Sequence, residues 1–236
     1  MVVRELNALG ANLYFATARQ IGIYQDRWGK FAMISFVFEI FIRSISGYIF
    51  IVPGIILYFL HLKKIGKKQT KAHIFTMFIF CYLLIGMLTV TGINSFKAFS
   101  PRVVLVPFLD MVNGPIDTLL NIVLFIPFGF LVPLLYKKYY KPNKIVLLGF
   151  LFSLSIEIIQ MFGMGSTDIN DLITNVMGTF LGYCICKFIS KKSGNCEKFK
   201  ATCINDSIEI LMFIVYSFII MVTIQPIIIA SLFKLA

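Results

Sequence analysis

Apolar residues in this chain run in long, nearly unbroken stretches instead of alternating or recurring on one helical face. A helix that crosses about 30 Å of hydrocarbon needs about 20 mostly apolar residues at 1.5 Å each. Six stretches meet that requirement: Ser44–Leu62, Ile74–Phe96, Thr118–Tyr136, Ile145–Phe162, Leu172–Ser190 and Ile210–Phe233. Their formal charges are Glu157 in the fourth and Lys187 near the end of the fifth, where a long side chain snorkels toward water. The expected fold class is therefore all-α, a polytopic membrane bundle of about six transmembrane helices. The connections are too short for a second folded unit, so residues 44–236 read as one six-span membrane domain.

Residues 1–43 read differently. Phe31–Arg43 is apolar apart from Glu39 and Arg43, which pair at i,i+4 on a helix, and it is too short to add a span. It is expected to be an N-terminal interfacial, amphipathic lead-in to a long tilted first helix, with Pro53 as a kink. The first 30 residues lack the apolar core of a cleavable signal peptide, which leaves insertion to the first span.

The loops set an orientation. Lys63, Lys64, Lys67, Lys68 and Lys71 follow the first span, Lys137, Lys138, Lys141 and Lys144 the third, and Lys187, Lys191, Lys192, Lys198 and Lys200 the fifth. The loops between them carry Lys97 and Arg102 in one case and no basic residue in the other. The positive-inside rule places the lysine-bearing loops in the cytoplasm. Arg4, Arg19, Arg27, Lys30 and Arg43 then fall outside, against the rule; a re-entrant turn within residues 31–62 would keep them inside.

Composition narrows the function classes. Hydrophobic residues make up 58% and charged ones 14%, against about 45–50% and 25% in soluble domains. A disordered chain and a disulfide scaffold are excluded, and a soluble enzyme is disfavoured. The net charge of +11 points first to anionic lipid, because the lysines cluster just beyond span ends. Membrane lipids are thus expected partners and nucleic acid is not. Cys81, Cys184, Cys186, Cys196 and Cys203 are scattered without a CxxC pair and read as thiols with no role.

The informative residues are polar ones placed where a membrane penalises them by roughly 2.5–3.5 kcal/mol for an ionisable group. Glu157 lies in the fourth span with Gln160 one turn later. After a short link come Asp168, Asp171, Asn175, Gly178 and Gly182, the last four at helical steps along one stripe. Asn113, Asp117 and Asn121 are spaced by four toward the third span, with Phe125 and Gly129 continuing that face and Pro127 and Pro133 breaking the backbone ladder. From the helical rise, Glu157 lies roughly 7–8 Å, Asp171 and Asn121 about 4–5 Å, and Asn175 about 10 Å below the outer boundary. Three helices bring polar side chains to one level.

Plainer roles compete for each residue. Gly178 and Gly182 form GxxxG and, with Gly129, suit close helix packing. Asn121 and Asn175 suit interhelical hydrogen bonds, and Asp168 and Asp171 suit capping of the fifth helix. Glu157 resists such a reading, because a buried acid needs a proton or a cation whatever its role. His61 and His73 lie at the other end and no cysteine is near, so zinc is not expected. The oxygen set of Asn121, Glu157, Gln160, Asp168, Asp171 and Asn175 suits Mg²⁺ or Ca²⁺, with Glu157, Asp168 and Asp171 as candidate ligands, or an ammonium group. Ser166 and Thr167 offer hydroxyls with no assigned base.

Three blocks carry a family likeness: Leu105-Val-Pro-Phe108, Asn121-Ile-Val-Leu-Phe-Ile-Pro-Phe-Gly129, and Glu157-Ile-Ile-Gln160 followed by Asp168-Ile-Asn-Asp171-Leu-Ile-Thr-Asn175-Val-Met-Gly178 with Gly182. In these residues, within about 105–183, the chain resembles the VanZ-like family of bacterial membrane proteins, named for an accessory protein of teicoplanin resistance. It departs from the family pattern where Gly163-Met-Gly-Ser-Thr167 replaces an arginine-bearing stretch. The resemblance implies a multi-pass protein of the bacterial plasma membrane with a cell-envelope, antibiotic-response context. Two functions follow as expectations. One is recognition of an envelope or lipid-linked group in an outward polar pocket, with Glu157 as the buried acid and Gln160, Asn121 and Asn175 as orienting groups. The other is a metal-assisted enzyme acting on a lipid-linked substrate, with Glu157 as the candidate base or ligand.

Overall fold

A computed structural model describes residues 28–92, 103–104, 115–162, 167–193, 200 and 205–234. The tail residues Arg4, Arg19 and Arg27, and Lys97, Arg102, Asn113, the Leu105–Phe108 block, residues 163–166, Cys196, Lys198 and Cys203 lie outside the described residues. Glu39 and Asp117 fall in helices of which the backbone alone is described at those positions.

The apolar runs fold as helices long and apolar enough to cross a membrane, six among the described residues. They are α1 (Trp28–Lys64), α2 (Lys71–Val90), α3 (Pro115–Leu135), α4 (Pro142–Gln160), α5 (Ile169–Ser193) and α6 (Asp206–Ile219), the last extended by a π-helical turn at Ile220–Ile224 and by α7 (Gln225–Lys234). The starts follow local chemistry. The Thr70 side chain accepts the His73 N–H at 3.1 Å and caps α2, Pro142 opens α4 at a position that needs no N–H donor, and Asn205 Oδ1 accepts the Ser207 N–H at 2.9 Å to cap α6. After α1, Gly66 at φ +80° lets its own N–H reach Lys63 O and that of Lys67 reach Leu62 O, closing the helix in a left-handed turn.

One expectation for the first helix changes. The re-entrant turn within residues 31–62 does not form: Trp28–Lys64 is one 37-residue helix, and Pro53 is accommodated inside it. Its apolar side chains find a continuous surface there, because Gly47 lets Ile85 and Met221 approach and Gly54 receives the Tyr216 ring. Tyr216 then donates its hydroxyl to Phe50 O at 2.9 Å. The sixth span carries an irregularity of its own, where Gln225 N–H bonds Ile220 O in an i→i+5 turn.

The core is aromatic and aliphatic. Phe128 of α3 stacks on Phe152 of α4 at 4.9 Å, Phe125 lies 5.8 Å from Phe152, and Phe80 of α2 lies 6.1 Å from Phe128. Isoleucines, leucines and phenylalanines elsewhere cover the outside of the helices. In an aqueous protein that surface would be a liability; on helices long and apolar enough to cross a membrane it is a surface for lipid.

The closest approach is between α3 and α5. A Cβ added to Gly129 would overlap the Thr179 carbonyl, one on Gly178 the Ile122 carbonyl, and one on Gly182 the Ile126 carbonyl. Three glycines therefore place backbone directly on backbone over more than a full helical turn.

Candidate functional site

At the end of the bundle opposite the lysine-bearing turns, α3, α4 and α5 converge with a short strand pair. Val103–Val104 (β1) and Thr167–Asp168 (β2) pair in parallel, Val103 opposite Thr167 and Val104 opposite Asp168. This pairing fixes the backbone just ahead of α5 beside the last turn of α4.

Glu157 is the centre of the arrangement. It is 3% exposed, and its Oε2 accepts the Asp168 backbone N–H at 3.1 Å. Asp171 and Asp168 lie close enough for their charges to act on it. The Asp168 side chain is engaged elsewhere. Its Oδ1 accepts the Asn170 N–H at 2.8 Å and the Asn170 side-chain amide at 2.9 Å. That geometry is helix capping, and it leaves the carboxylate half-buried at the head of α5.

Asn121 of α3 reaches across to α5 and donates its Nδ2 to Asp171 Oδ1 at 2.6 Å. The glycine contacts two turns deeper bring these helices near enough for so short a bridge. Asn175, one turn below Asp171 and 3% exposed, donates to Ser153 Oγ at 2.9 Å. Ser153 stands one turn below Glu157, so the Asn175–Ser153 pair forms a floor beneath the carboxylates.

Gln160 turns another way. Its Nε2 donates to Thr91 O at the end of α2 at 2.8 Å, so it joins the three helices to α2 while Glu157 faces α5. Of the three buried side-chain carbonyl oxygens without a hydrogen-bond partner among the described residues, Gln160 Oε1, Asn175 Oδ1 and Gln225 Oε1, the first two belong to this group of side chains. A buried carbonyl oxygen without a donor costs about 1–3 kcal/mol, and these two lie on either side of Glu157, one turn after it on α4 and beneath it on α5.

The structure thus brings Asn121, Glu157, Asp168 and Asp171 together, puts Asn175 below them and Gln160 at their flank. Sequence reasoning did not single out Ser153, Asn170 or Thr91. Ser153 had a usable signal, since it precedes Glu157 by one helical turn; Thr91 contributes a backbone carbonyl and had none. The fit to Mg²⁺, Ca²⁺ or an ammonium group remains a matter of donor chemistry, all oxygen with amide support.

The family model for VanZ/LLP1 matches residues 45–190, which include all the site residues above. Protein VanZ of Enterococcus faecium is 45% identical over 64 residues, which are 26% of this chain and 38% of that protein. The chain thus matches well under half the length of this curated relative. No solved structure matches. The match from the first span through the fifth makes this chain a member of the VanZ/LLP1 family.

Proposed function

We propose that this protein binds a cell-envelope group, lipid-linked and carrying hydrogen-bond donors, at the outward end of α3, α4 and α5. The observation that carries the reading is the concentration of buried acceptors there: the Glu157 carboxylate, Asn175 Oδ1 and Gln160 Oε1. A packing role calls for paired amides and paired acids. Acceptors left open around a buried carboxylate instead suit a ligand that supplies donors. Asp171, tied to Asn121, and Asp168, tied to the helix start, give the site a fixed rim, so little ordering is required on binding.

The family likeness supplies the biological setting, glycopeptide response at the bacterial envelope. In a susceptible host the chain is then expected to raise the teicoplanin concentration that stops growth. Glu157→Gln keeps shape and one acceptor while removing the acid; at equal membrane levels it should return that concentration to the empty-vector value. Unchanged protection by the Gln variant would remove the proposal.

A further inference from the structure

At the lysine-bearing end, four helices meet at one carboxylate. Glu209, 2% exposed, stands in the first turn of α6. Tyr58 of α1 donates its hydroxyl to Glu209 Oε2 at 2.7 Å. Tyr136, at the end of α3, places its hydroxyl 3.2 Å from Oε1 and 3.3 Å from Met77 Sδ. His73 of α2, 0% exposed, brings Nε2 to 3.7 Å from Oε1. Its ring is also flanked edge-on by Phe59 and Tyr136.

Phenol hydroxyls at neutral pH are donors: Tyr58 donates to one Glu209 oxygen, and the single Tyr136 proton has the other oxygen or Met77 Sδ as its acceptor, an arrangement suited to the ionised carboxylate. An ionised carboxylate enclosed by helices requires an opposite charge beside it. The other charged or titratable groups near it do not meet that need. Cys81 on α2 is buried and close enough to feel the Glu209 charge, but it is a thiol. Asp206 on α6 accepts the Lys138 backbone N–H at 2.9 Å, and the Lys138 ammonium bonds the Ser207 hydroxyl, which Tyr139 also reaches at 3.3 Å. Those contacts form a rim outside the cluster. Within ion-pair reach of Glu209 among the described residues stands His73.

We propose that His73 and Glu209 form a second intramembrane site, one whose ligand is a proton: imidazolium against carboxylate, with the carboxylate fixed by Tyr58 and Tyr136. The pair holds one proton on the imidazole ring. When that proton leaves to solvent, the carboxylate between α1, α2, α3 and α6 keeps its hydroxyl partners and loses its countercharge, so proton occupancy is felt by four helices at once. The site lies at the other end of the bundle from the Glu157 group, and the inference does not rest on the function proposed for that group.

The test uses the two histidines of the chain. His61 is exposed and serves as an internal reference. In ¹⁵N-histidine NMR of the full chain in nanodiscs at neutral pH, His73 should carry protons on both ring nitrogens. Glu209→Gln should leave it with one, with His61 unaltered. A singly protonated His73 in the unaltered protein overturns the proposal, as does a doubly protonated His73 in the Gln variant. Should Glu209→Gln fail to fold, His73→Gln gives a second reading by infrared spectroscopy. Glu209 should then take up a proton and the spectrum gain protonated-carboxyl intensity over wild type; no gain overturns the proposal.

Discussion

Gly178→Ala is the substitution whose effect the structure constrains most tightly. The new Cβ would overlap the Ile122 carbonyl oxygen and lie 3.0 Å from both Ile122 C and Phe125 Cβ, whereas unstrained carbon contacts lie near 3.5–4.0 Å. The obstacle is main chain held in a helix, so no rotamer change relieves it and α3 must move away from α5. Overpacking in a filled interior costs typically 1–3 kcal/mol, and a backbone obstacle places this case near the upper end, about 3 kcal/mol. An outward shift of about 1 Å would also stretch the 2.6 Å Asn121–Asp171 bond beyond hydrogen-bonding range. Gly86→Ala is the matched control: its Cβ would meet a single atom, Ser44 Oγ, at 4.0 Å, and in a helix interior alanine is favoured over glycine by about 1 kcal/mol. The assay is thermal unfolding of both variants in the same nanodisc preparation, at roughly 2–4 °C per kcal/mol for a chain of this size. Gly178→Ala should melt several degrees below wild type and Gly86→Ala at or above it. Equal melting of the two would refute the backbone contact between α3 and α5.

Other substitutions separate structural from functional roles. Asp168→Ala should lose about 1 kcal/mol of stability with the α5 cap, while Asp168→Asn keeps the cap; protection lost in both variants would assign a role to the carboxylate charge, and protection kept in the Asn variant would leave capping alone. Thr70→Ala removes the α2 cap and should cost about 1 kcal/mol in chemical unfolding without altering teicoplanin protection. Asn121→Ala leaves Asp171 without its short bridge to α3 and should weaken protection more than it lowers the melting temperature; a loss of stability alone would make Asn121 packing glue.

The spans were legible because long uncharged runs have one stable solution in lipid, and the convergence of Asn121, Glu157 and Asp171 followed from helical rise and alternating direction. Those residues needed no knowledge of which helices are neighbours beyond the chain order of three short-looped spans. The Glu209 cluster was hidden for the opposite reason. Glu209 sits just ahead of an apolar run, where an acid reads as a helix-start preference, and His73 sits just inside another, where it reads as a rim residue. Their meeting depends on α2 and α6 packing side by side, far apart in sequence, and Tyr58 and Tyr136 are two among ten tyrosines. The β1–β2 pair was equally hidden, being two residues long on each side. The partner of Gln160 was missed because a backbone carbonyl at a helix end has no residue-type signature.

The π-helical turn in the last span fixes which side of that helix looks inward. An i→i+5 closure at Ile220–Gln225 takes in about one residue more than an α-turn, and each residue advances an α-helix by about 100°. Gln225 is fully enclosed and donates to Arg43 O at 3.2 Å because of that extra residue. Deleting one residue from Ile220–Ile224 would let the coil close normally and swing the amide toward the hydrocarbon, unfastening the C-terminal third of the span from α1 while leaving its apolar length almost unchanged.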